Sequence, residues 1–297
     1  MKASYAHYTL IFRQPAGTSR GVLTDKETYF LKLEDEDMPG VFGLGECAVF
    51  RGLSADDVPV YEDKLRELCA NISADKETDL HEFPSIRFGL ETAINDFANG
   101  CRRQPFPSDF TEGMSAIPIN GLVWMGTKEE MLRRIDDKIK AGFTTIKLKV
   151  GAIDTESELD LVRHIRKVFP PEVLTIRLDA NGGFTPDNAL QKLSDFARYG
   201  IHSIEQPIKQ GQWEAMRRIC SESPIDIALD EELIGIHTPE RMGEMLDAVR
   251  PKYIILKPSL IGGFSGSQDW IMQAARRDIG GWVTSALESN VGLNAIA

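Results

Sequence analysis

From about residue 117 onward, short apolar runs alternate with amphipathic helical stretches, and no other feature constrains the fold of this chain as much. The runs fall at 117–122, 144–150, 174–179, 203–205, 225–230, 253–257 and 281–285. They are brief and mostly apolar, as parallel strands buried on both faces must be. The stretches between them carry helix-start signals. Thr127 precedes Glu130 at capping-box spacing, with Met131, Ile135 and Ile139 at helical intervals behind it, and Thr155 with Glu158 repeats the device. Thr185-Pro186 and Thr238-Pro239 each set a cap residue before a proline at the first helical position, and Gly142 and Gly200 stand where helices should end.

Strand–helix alternation implies a parallel sheet. The pitch of about 30 residues per unit suits a (β/α)₈ barrel, with a doubly wound open sheet as the rival. We expect an α/β protein whose residues 114–297 form a TIM-like (β/α) barrel with seven strands visible and the eighth missing. Ala297 falls inside the helix after the seventh strand, so the ring should be incomplete at its C-terminal side. Residues 1–113 read as an α+β capping domain, with strands at 28–33 and 41–44 and helices at 58–69 and 85–99. Pro105-Phe106-Pro107-Ser108 marks the join.

The 297 residues suffice for one small domain and a large barrel. A formal charge of −11 argues against a nucleic-acid partner, which needs a basic footprint. No run approaches the roughly 18 apolar residues of a membrane span, and the N-terminus lacks a signal-peptide core, so the cytoplasm is the default location. The four cysteines, Cys47, Cys69, Cys101 and Cys220, are scattered without a Cys-x-x-Cys pair, which argues against zinc and against a disulfide framework.

Charged residues recur at the C-terminal ends of successive strands: Lys147 and Lys149 on the second, Asp179 on the third, Glu205 on the fourth, Asp230 on the fifth and Lys257 on the sixth. In a barrel these ends converge on the face that carries active sites. Three carboxylates from neighbouring strands suit Mg²⁺, with Mn²⁺ as the alternative ion, because hard cations prefer oxygen donors. Lys147 and Lys149 share a strand face, and paired ammoniums should depress each other's pKa until one serves as a base. Lys257, from further around the ring, is placed to face Lys149. Such a set suits removal of a proton beside a carboxylate, where the charge that develops needs stabilising. Taken singly, each strand-end acid is as well read as a helix cap and Lys-x-Lys as a solvated edge; five in strand order are not.

These residues resemble the enolase superfamily, in its muconate-lactonizing branch, and most closely the family of o-succinylbenzoate synthases. The markers are Gly43-Leu44-Gly45-Glu46, Gly52-Leu53-Ser54, Arg87-Phe88-Gly89-Leu90-Glu91, Asn120-Gly121-Leu122, Lys147-Leu148-Lys149, Asp179-Ala180-Asn181, Glu205-Gln206-Pro207, Asp230-Glu231, Lys257-Pro258-Ser259, Gly262-Gly263 and Ser285-Ala286-Leu287-Glu288-Ser289. The resemblance implies a Mg²⁺-dependent hydro-lyase of menaquinone synthesis acting on a small-molecule carboxylate, 2-succinyl-6-hydroxy-2,4-cyclohexadiene-1-carboxylate. It implies Lys149 as base and then acid, Lys257 as the facing cation, and Asp179, Glu205 and Asp230 as metal ligands. Lys147 would tune Lys149. Arg20, in a loop expected to close over substrate, is read as a carboxylate contact or a solvated arginine. Ser285 is read as a tail contact or a packing residue, Asn181 as a neighbour of the metal or a turn cap, and Glu288 as a lysine-orienting group or a helix N-terminal charge. The alternatives are an acylamino-acid racemase, dipeptide epimerase or cycloisomerase of the same superfamily, a Schiff-base aldolase, and an inactive metal-binding barrel.

Overall fold

Antiparallel pairing builds the first sheet, from β1 (Lys2–Thr18), β2 (Gly21–Glu34) and β3 (Phe42–Cys47) in that order. The computed structural model describes residues 1–18, 21–151 and 153–297. Sequence reading marks the buried half of β2 and the first half of β3 but not β1. That strand is largely exposed, with Tyr8 at 56 % and Ile11 at 74 %, and the alanines Ala3 and Ala16 that it buries are too small and too far apart to impress an apolar alternation on the sequence. Pairing with β2 from Lys2↔Glu34 through Ile11↔Asp25 makes it a strand.

Two helices, α1 (Tyr61–Ser73) and α2 (Pro84–Ala98), cover this sheet. Leu31, Leu33, Tyr61, Leu65, Leu68 and Ile86 form the enclosed core between them. Glycine is required where β3 meets α2: a Cβ on Gly45 would lie 1.8 Å from the Gly89 carbonyl oxygen. The Gly-Leu-Gly-Glu and Phe-Gly-Leu-Glu motifs are thus the two sides of one close contact.

Asp56, fully enclosed beneath this layer, accepts from the Ser85 N–H (2.9 Å) and hydroxyl (2.6 Å) on one oxygen, while its other oxygen accepts no hydrogen bond within bonding distance among the described residues. Burial pushes its carboxyl from 3.8 up to about 6, with the Ser85 bonds opposing. Between those two values the folded chain binds more protons than the unfolded chain. Stability should therefore fall as pH rises through this window, by about 3 kcal/mol from this group, and level off above pH 6. Asp56→Asn should remove that slope. Urea midpoints of both proteins at pH 4.5 and 7 measure it, and an identical pH dependence in the variant counts against it.

The second sheet is parallel throughout. Its strands are β4 (Gly121–Val123), β5 (Thr145–Lys149), β6 (Thr175–Asp179), β7 (Ser203–Glu205), β8 (Asp226–Leu229), β9 (Tyr253–Leu256) and β10 (Gly280–Val283), paired in chain order. They alternate with α3 (Lys128–Lys140), α4 (Thr155–Arg166), α5 (Ala189–Ala197), α6 (Trp213–Glu222), α7 (Pro239–Val249), the short α8 (Pro258–Ile261) and α9 (Gly263–Ala275), and α10 (Asn290–Ile296) follows β10. The sheet curls: Leu122 of β4 and Thr284 just past β10 border one cavity although their strands are the two edges of the sheet. Among the described residues the seven strands and their helices form a curled, barrel-type (β/α) layer. Strand and helix side chains such as Ile146, Leu148, Ile176, Leu178, Leu193 and Met245 fill the core between the layers.

Caps decide where several helices begin. Thr127 and Glu130 form the expected reciprocal capping box, and Thr238 caps α7. At α4 the cap is Asp154, which accepts from the Ser157 N–H at 2.9 Å, and Thr155 is already helical. At α5 Thr185 does not start the helix; Thr185 and Asn188 bond each other's backbone N–H groups in a local turn, and the helix begins at Ala189. The first barrel strand is shorter than expected because Ile117 and Ile119 lie exposed on the approach to Gly121. Among the described residues no helix is long and apolar enough to cross a membrane.

Candidate active site

Strand register brings the predicted residues together. Lys149 of β5 pairs with Asp179 of β6, which pairs with Glu205 of β7. Glu205 in turn pairs with Ala228 of β8, and Asp230 stands two residues beyond it on the same face. The same two-residue step recurs at the next strand: Ala228 pairs with Tyr253 of β9, so Asp230 lies level with Ile255, and Lys257 stands two residues on. Around the sheet the order is therefore lysine, aspartate, glutamate, aspartate, lysine, with Lys147 one inward step below Lys149.

The side chains form a buried network of ion pairs. Lys147 Nζ lies 2.8 Å from Asp179 Oδ2 and 2.6 Å from Glu205 Oε2. Lys149 Nζ lies 3.1 Å from Asp179 Oδ2 and donates to Asn181 Oδ1 at 2.6 Å. Lys257 pairs with Asp230 Oδ2. Asn181 donates from Nδ2 to Glu231 Oε1 at 3.0 Å, so it joins the base to the acidic turn after β8. Gln206, enclosed and missed by sequence reading, accepts from the N–H groups of Asp230 and Glu232 at 3.2 Å each. It pins the fifth-strand carboxylate against the fourth. Gln206 (φ 40°), next after Glu205, and Asn181 (φ 43°), two residues after Asp179, both hold left-handed backbone beside a site carboxylate.

Electrostatics sort the groups. Burial opposes charge on Asp179, yet Lys147 and Lys149 hold its carboxyl well below the usual carboxylate range. Burial and the neighbouring Asp179 and Asp230 carboxylates push Glu205 far up, with Lys147 opposing. Burial also disfavours the charged forms of Lys147 and Lys257, but Asp179 and Glu205 hold the first, and Asp230 and Glu205 the second, above the ordinary lysine range. This corrects the expectation for Lys147: two carboxylates outweigh the adjacent ammonium, so it remains a cation.

Among the described residues no three acidic, histidine or cysteine side chains converge on one point; the Lys147 ammonium lies between Asp179 and Glu205. The donor chemistry nevertheless suits a hard divalent cation. All three acids are buried and oxygen-bearing, they occupy consecutive strands, and Glu205 Oε1 is enclosed without a hydrogen-bond partner.

A cavity of about 240 Å³ opens over this row. Lys147, Lys149, Asp179, Asn181 and Lys257 form its polar side, while Glu205 and Asp230 are not among its lining residues and sit behind the lysines they pair with. Phe50 and Leu53 from the N-terminal part, with Leu122 of β4 and Trp124 just past it, form its apolar side, and Ser285 lines it beside Ala286 and Leu287. The Lys149 ammonium stands 5.9 Å from the Trp124 ring centre. Glu288 is set behind the wall, accepting from the Ser259 hydroxyl at 2.5 Å and the Ala286 N–H at 2.6 Å. Arg20 lies outside the described residues. Phe50 and Trp124 went unnoticed in the sequence because a lone aromatic carries no spacing signal.

The model of the family "Enolase C-terminal domain-like" matches residues 130–297. An o-succinylbenzoate synthase of Desulfotalea psychrophila is 44 % identical, across 100 % of this chain and 89 % of its own length. The crystal structure of MenC from the same organism superposes with a TM-score of 0.88 at 41 % identity, again over 100 % of this chain and 89 % of the other. A Thermosynechococcus elongatus o-succinylbenzoate synthase, solved with Mg in the active site, superposes with a TM-score of 0.78 at 25 % identity, over 100 % of this chain and 88 % of its own.

Proposed function

This chain belongs to the enolase C-terminal domain-like family, and on that premise we propose that it is a Mg²⁺-dependent hydro-lyase that forms o-succinylbenzoate for menaquinone synthesis. Its substrate is a small-molecule carboxylate, 2-succinyl-6-hydroxy-2,4-cyclohexadiene-1-carboxylate, and we place the reaction in the cytoplasm. The observation that carries this reading is the row of three buried carboxylates flanked by Lys149 and Lys257, of which Asp179 and the two lysines line one cavity.

Asp179, Glu205 and Asp230 would hold the divalent ion, Mg²⁺ or in its place Mn²⁺. Once bound, that ion supplies the Lewis acidity that stabilises negative charge on the substrate carboxylate. Lys149 Nζ takes the proton from the carbon beside that carboxylate. The same amine, now protonated and held by Asn181, delivers the proton to the ring hydroxyl. The C–H and C–O bonds are lost, water departs, and the ring becomes aromatic. Lys257 stays protonated, paired with Asp230, and faces the developing charge from the far end of the row. Lys147 remains a cation and steadies Asp179 and Glu205. Ser285 lies where it can meet the succinyl tail.

Loss of the diene absorbance of the substrate measures the reaction. Turnover should stop with EDTA and return with Mg²⁺; no turnover, or turnover indifferent to EDTA, would overturn the reading. Placement of lysines at both ends of the row favours one second reading, a racemase or epimerase that moves a proton between opposite faces. Exchange of the α-hydrogen of acylamino acids or dipeptides with solvent deuterium, in the absence of dehydration, would establish it.

A further inference from the structure

Glu46, on β3, is fully enclosed, and four donors among the described residues converge on its carboxylate. One oxygen accepts from Thr28 Oγ1 and the Ser289 N–H, at 2.9 Å each. The other accepts from Ser289 Oγ at 2.5 Å and the Gly292 N–H at 2.8 Å. Those donors fill the acceptor positions that a carboxylate offers. The fit is close, since a Cβ on Gly292 would stand 2.9 Å from Glu46 Oε2. Three of the donors belong to the turn that opens α10, although Ser289 lies 243 residues further along the chain.

The segments on either side of this joint border the same cavity. Beyond Glu46 come Cys47, Ala48 and Val49, all enclosed, and then Phe50 and Leu53 of the apolar side. Ser54 Oγ closes that turn by accepting the Phe50 N–H at 2.8 Å. Ahead of Ser289 come Ser285, Ala286 and Leu287 of the other wall. There Glu288 accepts from the Ala286 N–H and from the Ser259 hydroxyl of α8, so this wall is braced as well. Each wall is tied within itself, and the Glu46 carboxylate ties one to the other.

We propose that Glu46 is a positioning residue that sets specificity for the substrate's tail: by gripping Ser289 and Gly292 it fixes how the 285–287 wall stands relative to Phe50 and Leu53, and so shapes the space beside Ser285 where the succinyl chain lies. This rests on the functional reading given above. Glu46 is not among the residues that line the cavity, so it acts on the tail through the two walls. Lys149, Asp179 and Lys257 are not among its hydrogen-bond partners, so the proton transfers should be spared.

The test uses the full-length chain loaded with Mg²⁺, as wild type, Ser289→Ala, Ser289→Thr and Glu46→Gln. Ser289→Ala deletes the hydroxyl, which also caps α10 at the Val291 N–H; Glu46→Gln leaves that cap in place and turns an amide NH₂ toward N–H donors. KM for the cyclohexadiene substrate should rise about fivefold in Ser289→Ala and about tenfold in Glu46→Gln, with kcat within about twofold of wild type, as expected when binding is lost equally from ground and transition states. Calorimetry should show o-succinylbenzoate weakened in parallel and benzoate, which lacks the tail, unchanged. Ser289→Thr keeps a hydroxyl and should restore both. An unchanged KM in Glu46→Gln, a fall in kcat at constant KM, or benzoate weakened as much as o-succinylbenzoate overturns the proposal. Glu46→Asp, one methylene short, takes the place of Glu46→Gln if the latter does not fold. A wild type that fails to dehydrate the substrate removes the functional reading instead. Amide hydrogen exchange over 284–292, expected to quicken in Glu46→Gln while the parallel sheet stays protected, still decides whether Glu46 holds this wall.

Discussion

Lys149→Ala and Lys149→Arg should each lose roughly 10³- to 10⁴-fold in kcat, the upper range for removal of a general acid–base group. The loss should be large because one amine is used twice, to take the proton and to return it to the departing hydroxyl. Alanine removes the amine. Arginine keeps a cation beside Asp179 but does not give up its proton, so it separates charge from proton transfer. The fold should survive in both, because Asp179 retains its 2.8 Å pairing with Lys147. Stopped assays of dehydration, with circular dichroism as the folding control, measure the effect. A Lys149→Arg enzyme within tenfold of wild type would mean that Lys149 acts only through its charge.

The second large effect is on metal binding. Asp230→Asn and Glu205→Gln should each weaken Mg²⁺ binding by at least the roughly 10- to 100-fold that disturbing even an outer-shell partner costs. The two variants should differ in stability. Asp230→Asn takes the carboxylate from the buried Lys257 ammonium and should be destabilising on the scale of a broken buried pair, about 3–5 kcal/mol. Glu205→Gln removes a charge that burial and two neighbouring acids already oppose, and the Lys147 ammonium it pairs with keeps Asp179, so the metal-free chain should be harmed less. Calorimetric titration with Mg²⁺ and urea unfolding of the metal-free proteins report the two effects separately. Unchanged Mg²⁺ affinity in both variants would remove these residues from the ligand set.

The barrel half was more legible than the N-terminal half, for a physical reason. Parallel strands buried on both faces leave dense apolar runs, and all seven were placed within a few residues. β1, open to solvent on much of its length, leaves none. Helix starts were readable where one side chain meets one N–H, as at Thr127 and Thr238, and slipped where two polar neighbours compete, as at Asp154 against Thr155 and at Thr185 against Asn188.

What the sequence determined by itself was the list of chemically active residues and their order along the strands, because each one ends a run whose period can be counted. Only the tertiary structure decided how those tips relate. The two-residue steps between β7, β8 and β9 align Asp230 and Lys257 with Glu205, and the Asp179 and Glu205 carboxylates, outweighing burial, keep Lys147 a cation where spacing alone suggested a depressed pKa. Gln206, Trp124 and Phe50 belong to the site through contacts between elements apart in the chain. No local pattern encodes such contacts, since they exist only once the curled sheet and the N-terminal layer have packed together.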